Sequence, residues 1–237
     1  MYAVWKFGKI EPAAYWFGSN LSLSGDTLAV GVPKERSTSQ TIINGNTASS
    51  DNGEGSVGAV YVYKRSGTSW SQEAYIKAAN SRRGAEFGIS ISLDDDTLAV
   101  GAQKDIYIQT TITNGPGVST TWTDCPTCDI YNGAVYVYKR DGSSWSQEAY
   151  IKTPNTLHYN FGWSVSLDNN TLAGGTFFDR SNQRTISKGP SSSTNTTHSE
   201  AGAGAVHIFS RSGQEWSQQA YVKSSNLDAN DRFGDSV

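Results

Sequence analysis

The pair Phe-Gly recurs at Phe17-Gly18, Phe87-Gly88, Phe161-Gly162 and Phe233-Gly234, at spacings of 70, 74 and 72 residues. Between these copies four blocks return in fixed order. Block a follows Phe-Gly and reads FGSNLSL, FGISISL and FGWSVSL, then a truncated FGDSV. Block b reads DTLAVGV, DTLAVGA and NTLAGGT. Block c reads GAVYVYKR at 58–65, the same letters at 133–140, and GAVHIFSR at 204–211. Block d reads SWSQEAYIK at 69–77, the same letters at 144–152, and EWSQQAYVK at 215–223. A chain with this period is an array of one supersecondary unit, and each unit buries its apolar faces on its neighbours.

Every block has the length and the Val, Ile, Tyr, Trp and Thr content of a strand, and is bounded by Gly, Asn, Asp or Ser. Gly25-Asp26, Asp95-Asp96 and Asn169-Asn170 sit at the centre of the a–b link, and Ser66-Gly67, Asp141-Gly142 and Ser212-Gly213 in the c–d link. These are hairpin residues that tolerate positive φ. The unit therefore reads as a four-stranded antiparallel meander. Its b–c link is roughly 25 residues, polar and irregular, a length usually kept for function or mobility. Block c is apolar on both faces, so its sheet is covered on both sides. Block b is bulky on one face (Leu28, Val30) and small on the other (Ala29, Gly31), as close stacking requires. The small polar side of block a (Gly18, Asn20, Ser22) suits a crowded place near an axis. The expected fold is all-β, with four-stranded sheets stacked face to face around an axis as β-propeller blades.

The units divide the chain into an N-terminal orphan strand and link at 1–16, blades at 17–86, 87–160 and 161–232, and the first strand of an incomplete fourth unit at 233–237. Ala3-Val4-Trp5-Lys6-Phe7 reads either as a c-type strand or, with Trp5 matched to Trp70, as a shortened d strand. Closed propellers have roughly four to eight blades. Three leave two apolar sheet faces in water, which soluble monomers avoid. Either the chain is a piece of a longer protein or copies of itself supply the missing neighbours, in rings or filaments. In the second case Phe233–Val237 of one copy is expected beside the N-terminal segment of the next, since unpaired edge strands invite pairing.

The blocks resemble the FG-GAP repeat, the blade of the integrin α-subunit propeller and of many bacterial surface proteins. The Phe-Gly half of the motif is present four times at the repeat period, and a further Phe7-Gly8 lies off it. The Gly-Ala-Pro half appears as Gly31-Val32-Pro33, Gly101-Ala102-Gln103 and Gly175-Thr176-Phe177, degraded in each copy. The SGDTLAVG hairpin and GAVYVY strand are closest to a bacterial surface-protein subgroup. The resemblance implies an extracellular or cell-surface, non-enzymatic interaction or adhesion module, with strand a innermost and strand d outermost. It also raises calcium, because integrin blades often hold it between strands a and b in an Asp-x-Asp-x-Asp-Gly cage. Here that link is Ser24-Gly25-Asp26, Asp94-Asp95-Asp96 or Asp168-Asn169-Asn170, too short to place roughly six or more oxygens around Ca²⁺. No cofactor is therefore expected there. A looser calcium site near Asp51, Asn52 and Glu54 is the remaining candidate.

No catalytic constellation stands out. His158, His198 and His207 fall at unrelated repeat positions without a nucleophile motif. His207 replaces Tyr61 and Tyr136 and reads as a packing aromatic. Glu73 and Glu148 become Gln219 in the third copy, which argues for a strand-surface role over acid–base work. Trp70, Trp145 and Trp216 open the outer strands and read as packing against the adjacent blade rather than as a ligand platform. Cys125 and Cys128 make a single C-x-x-C inside a b–c link. That is half a zinc site, without the βαβ context of a redox motif, so a small loop disulfide is expected. Of the sequons, Asn195 alone lies in a Ser-rich loop and is the candidate glycan acceptor.

Composition narrows the partners. The net charge of −3 does not supply the basic footprint of a nucleic-acid binder. No run of ~18 apolar residues spans a membrane, and the first residues lack signal-peptide character. The expected partners are a protein or glycan held by the long b–c links, and copies of the chain itself.

Overall fold

The computed structural model describes residues 16–53, 55–121, 131–154, 160–190 and 201–237. The expected N-terminal orphan strand lies outside the described residues apart from Trp16. Among them every regular element is a β-strand. In the first unit these are β1 (Asn20–Ser24), β2 (Thr27–Val32), β3 (Ile43–Asn44), β4 (Ala59–Ser66) and β5 (Ser69–Ile76). The second has β6 (Ser90–Asp94), β7 (Thr97–Ala102), β8 (Thr113–Asn114), β9 (Ala134–Asp141) and β10 (Ser144–Ile151). The third has β11 (Val165–Asp168), β12 (Thr171–Thr176), β13 (Ser187–Lys188), β14 (Ala205–Ser212) and β15 (Glu215–Val222). Blocks a, b, c and d thus become four consecutive antiparallel strands, joined at the a–b turns by residues of positive φ at Gly25, Asp95 and Asn169.

Each sheet has five strands rather than the expected four, in the order β1-β2-β4-β5-β3 and its two equivalents. The additional strand comes from the long b–c link. It folds back so that Ile43 and Asn44 pair with Tyr75 and Ala74 of β5, and the amide of Gly45 donates to the Glu73 carbonyl at 2.6 Å. The outer strand would otherwise expose a row of unpaired backbone groups. The sequence carries this element as Thr-Ile-x-x-Gly at 41–45, 111–115 and 185–189.

The c–d ladders share one irregularity. Val62 pairs with Ala74 and Tyr63 with Gln72, so Glu73 is an extra residue in a β-bulge. Glu148 and Gln219 are the bulged residues of the other two sheets. A bulge re-aims a side chain that regular pleating would direct elsewhere.

The sheets stack through their small faces. A Cβ on Gly31 would lie 2.3 Å from the Gly88 carbonyl oxygen, one on Gly101 2.0 Å from that of Gly162, and one on Gly175 2.1 Å from that of Gly234. Gly88, Gly162 and Gly234 of the Phe-Gly pairs therefore run against the block-b glycine of the preceding blade. Phe87 and Phe161 are buried, Phe87 edge-on to Tyr136 with ring centroids 5.3 Å apart. Inner strands also touch directly: Ser22 Oγ accepts from the Leu93 amide, and Ser92 Oγ from the Leu167 amide, each at 2.9 Å. One apolar core fills the space between the first and second sheets and another that between the second and third.

Among the described residues the outer faces of the three stacked sheets are largely uncovered. Leu21 and Leu23 are 62% and 64% exposed, whereas Leu93 and Leu167, the equivalents of Leu23, are 6% and 7% exposed beneath a preceding blade. At the other end Ile186 is 59% exposed, while its equivalents Ile42 and Ile112 pack into the two cores. Phe233 and Gly234 sit on the third sheet as Phe87 and Gly88 sit on the first, with Phe233 bridged to Gly204.

Candidate binding surface

The long b–c links are anchored from within. Lys77, Lys152 and Lys223 end the outer strands and are buried. Lys77 Nζ donates to Glu35 Oε2 at 2.7 Å and to the Ser37 and Gly58 carbonyls. Lys152 Nζ meets Asp105 Oδ1 at 2.8 Å and the Gly133 carbonyl at 2.6 Å, and Lys223 repeats this with Asp179 and Gly204. Both ends of each link are so tied to the outer strand. Burial pulls each ammonium below its usual pKa, and the facing carboxylate works against that shift. Tyr150 and Tyr136 donate to the two oxygens of Asp105, and Tyr221 donates to Asp179. Burial, then the adjacent Asp105 charge, holds the phenols of Tyr136 and Tyr150 well above their ordinary pKa. A charge in such a place is tolerable only when paired and hydrogen-bonded.

The connection leaving β5 is braced against the second link. Asn80, in the connection leaving β5, donates to the Ser119 carbonyl of the second link at 2.9 Å, and the Tyr107 hydroxyl donates to the Asn80 carbonyl at 3.2 Å. Beside them lies an open cleft of about 380 Å³, lined by Thr38, Gln40, Val57, Ser81, Arg82 and Arg83. Gln40 ties its two walls by donating to the Ser81 carbonyl. Two guanidinium groups, two hydroxyls and an amide around a small apolar floor suit a ligand with acidic and hydroxyl groups. The third blade has Asp228 and Ala229 where the first has Arg82 and Arg83, so the cleft chemistry belongs to the first blade.

The other candidate residues are dispersed. Cys125, Cys128, Asn195, His158, His198 and Glu54 lie outside the described residues. Asp51 closes a turn, accepting from the Thr38 amide at 2.6 Å and hydroxyl at 2.5 Å and from Gly53 at 3.1 Å. Asp94 accepts from the Asn169 amide of the next blade and Asp96 from Arg140, so these neighbouring acids point to different partners. Among the described residues no three His, Cys, Asp or Glu side chains cluster closely enough to hold a metal ion. His207 is buried edge-on to Phe161, in the place of a tyrosine.

The glutamates and tryptophans have a joint role that sequence reasoning saw only in part. Aimed by its bulge, Glu73 accepts from the Trp145 indole at 2.9 Å and from Arg140 at 3.1 Å, both on the second blade. Asn44 accepts from the Trp145 amide at 2.8 Å and donates to the Trp145 carbonyl. Glu148 and Asn114 hold Arg211 and Trp216 of the third blade in the same way. Trp145 and Trp216 are accordingly buried packing residues at blade junctions.

Residues 70–110 match the family model for the FG-GAP repeat. This chain carries an FG-GAP repeat. The matched segment runs from Trp70 in β5 through Phe87-Gly88 and the β6–β7 hairpin into the second b–c link. The strand order, the bulge and the buried lysine found in and around the matched segment recur in all three sheets, as the repeated blocks require. No curated protein matches the chain. No helix of the described residues is long and apolar enough to cross a membrane.

Proposed function

We propose that the chain is a non-enzymatic adhesion or interaction module of an extracellular or cell-surface protein, and that it takes an acid-bearing protein or glycan ligand on its long-link side. The FG-GAP match supports the interaction class. The observation that carries the ligand chemistry is the Arg82–Arg83 cleft, formed between the first long link, which buried Lys77 anchors, and the connection leaving β5, which Asn80 ties to the second link before any ligand arrives. Such preorganisation lowers the ordering cost of binding. Replacing whole links would be a poor test, because they supply β3 and the partner of Lys77. Point changes leave both intact. An array of sialylated, uronic-acid and neutral glycans, with acidic peptides alongside, is probed with the wild-type chain and with R82E/R83E. The expected result is saturable binding to acid-bearing ligands, weakened at least about tenfold in the variant at unchanged melting temperature. Equal binding by both proteins would remove the cleft from the proposal.

A further inference from the structure

The two internal blade junctions use one set of groups, and the third blade has changed that set at its uncovered face. Asn44 and Asn114 grip the Trp145 and Trp216 backbones, and Glu73 and Glu148 neutralise Arg140 and Arg211. At the same sites the third blade carries Lys188 and Gln219. The backbone there is unaltered. Lys188 pairs with Ala220 as Asn44 pairs with Ala74, and the Gly189 amide donates to the Gln219 carbonyl at 2.6 Å. Both side chains are exposed, and Gln219 donates to Ser210 of its own sheet. The difference lies in side-chain chemistry alone: an internal junction sets a carboxylate against an arginine, whereas this face offers an ammonium and a neutral amide.

The second junction shows where a complementary acid would stand. Glu215, the first residue of β15, reaches back so that Asn114 Nδ2 donates to its Oε2 at 2.6 Å. Asn114 is the equivalent of Lys188. A carboxylate heading the outer strand of an incoming blade therefore arrives at the Lys188 position. The first blade of this chain has Ser69 there, and behind it Arg65, which already donates to Asp26 and lies over the Trp70 ring. A second copy docking head to tail would set Arg65, whose charge Asp26 already meets, against the neutral Gln219, and Lys188 against Ser69 and Trp70 with no carboxylate to receive it.

We infer that the uncovered face of the third blade is a docking surface for a β-blade with an acidic residue at the head of its outer strand, and that a second copy of this chain is not that partner. The surface continues the backbone geometry of the two internal junctions, with the apolar Ile186 exposed on it and its charge inverted. An ammonium left without a carboxylate at such a contact selects against the wrong partner.

The chain itself serves as the probe. Sedimentation velocity over a concentration series compares the wild type with S69E, S69E/K188E and K188N/Q219E, with circular dichroism confirming that each is folded. S69E installs the acid where Glu215 already shows that a blade tolerates one, and should associate at least about tenfold more tightly than the wild type, the effect of one close charge pair. S69E/K188E should return to wild-type behaviour. K188N/Q219E rebuilds the internal clamp opposite the native Arg65 and Trp70 and should also associate. Head-to-tail association of the wild type as tight as that of S69E would overturn the inference and favour copies as the natural neighbours. S69E no tighter than the wild type, or S69E/K188E as tight as S69E, would show that Lys188 does not choose the partner.

Discussion

Lys152 Nζ lies 2.8 Å from Asp105 Oδ1, and both side chains are 2% exposed although 47 residues separate them in sequence. The pair joins the end of an outer strand to the root of a long link, so its loss should be felt as lost stability. Removing one partner strands a buried charge, at a cost of roughly 3–5 kcal/mol. D105A should therefore unfold at a much lower urea concentration. K152M/D105L, which removes both charges, should recover much of that loss. Urea titrations of the three proteins decide it, and equal destabilisation by single and double variants would contradict the stranded-charge account.

Glu73 supports the first blade junction through two bonds, one neutral and one charged. E73Q keeps an acceptor for the Trp145 indole and gives up the charge opposite Arg140, at an expected cost of about 1–2 kcal/mol. E73A loses both and should cost more. A double-mutant cycle with R140Q isolates the charged part, expected between about 0.5 and 3 kcal/mol. A coupling energy near zero would make the ion pair incidental to stacking.

The repeated blocks carried most of this architecture in plain sight. Strand content, order and hairpin turns follow from their spacing, and the Phe-Gly glycine and block-b glycine follow from the close approach of stacked sheets. What remained hidden depended on pairing across distance. Thr41-Ile42-Ile43-Asn44-Gly45 is too short to declare a strand, and becomes one only because β5 offers a free edge. The change from Glu73 to Gln219 was visible, but the bulge that turns this residue towards the next blade exists only in the c–d register. Lys77, Lys152 and Lys223 recur openly, yet each closes an apolar block and finds its acid in a link some 40 residues upstream. The cleft had no repeat signal at all, because Arg82 and Arg83 occur in one copy only.

Gly101 gives the sharpest steric test of the stacking. A Cβ there would lie 2.0 Å from the Gly162 carbonyl oxygen and 2.2 Å from Ser90 Oγ. Backbone cannot yield as a flexible side chain does, so G101A should cost about 3 kcal/mol or more. Gly25, at φ +54° with nothing within 4 Å of its Cβ position, is the control. G25A should cost only about 1–2 kcal/mol of left-handed strain. Thermal melts that rank the two the other way would mean that the sheets do not approach through their glycines.

Alkaline pH should unfold the protein through its tyrosines. Burial raises the phenols of Tyr61, Tyr63, Tyr75, Tyr107, Tyr136, Tyr138, Tyr150 and Tyr221 above the ordinary value. In the unfolded chain these groups lose their protons near pH 10, about the unperturbed value. Above that pH the folded state binds more protons than the unfolded one, so stability falls as pH rises. The contribution is fully present below about pH 10 and is lost on the way to the raised folded values. The buried lysines act in the opposite sense. Their lowered pKa means that the unfolded state binds more protons as pH climbs towards about 10.4, which adds stability over that interval. Three lysines stand against eight tyrosines, and beyond the unfolded lysine pKa only the tyrosine effect continues to grow. Urea midpoints should therefore change little up to about pH 9.5 and drop steeply above about pH 10.5. Phenolate absorbance at 295 nm should lag behind that of free tyrosine and then rise together with the loss of β-sheet dichroism. Phenolate from all twelve tyrosines appearing gradually near about pH 10 while the sheet signal persists would mean that these hydroxyls are open to solvent in the folded protein.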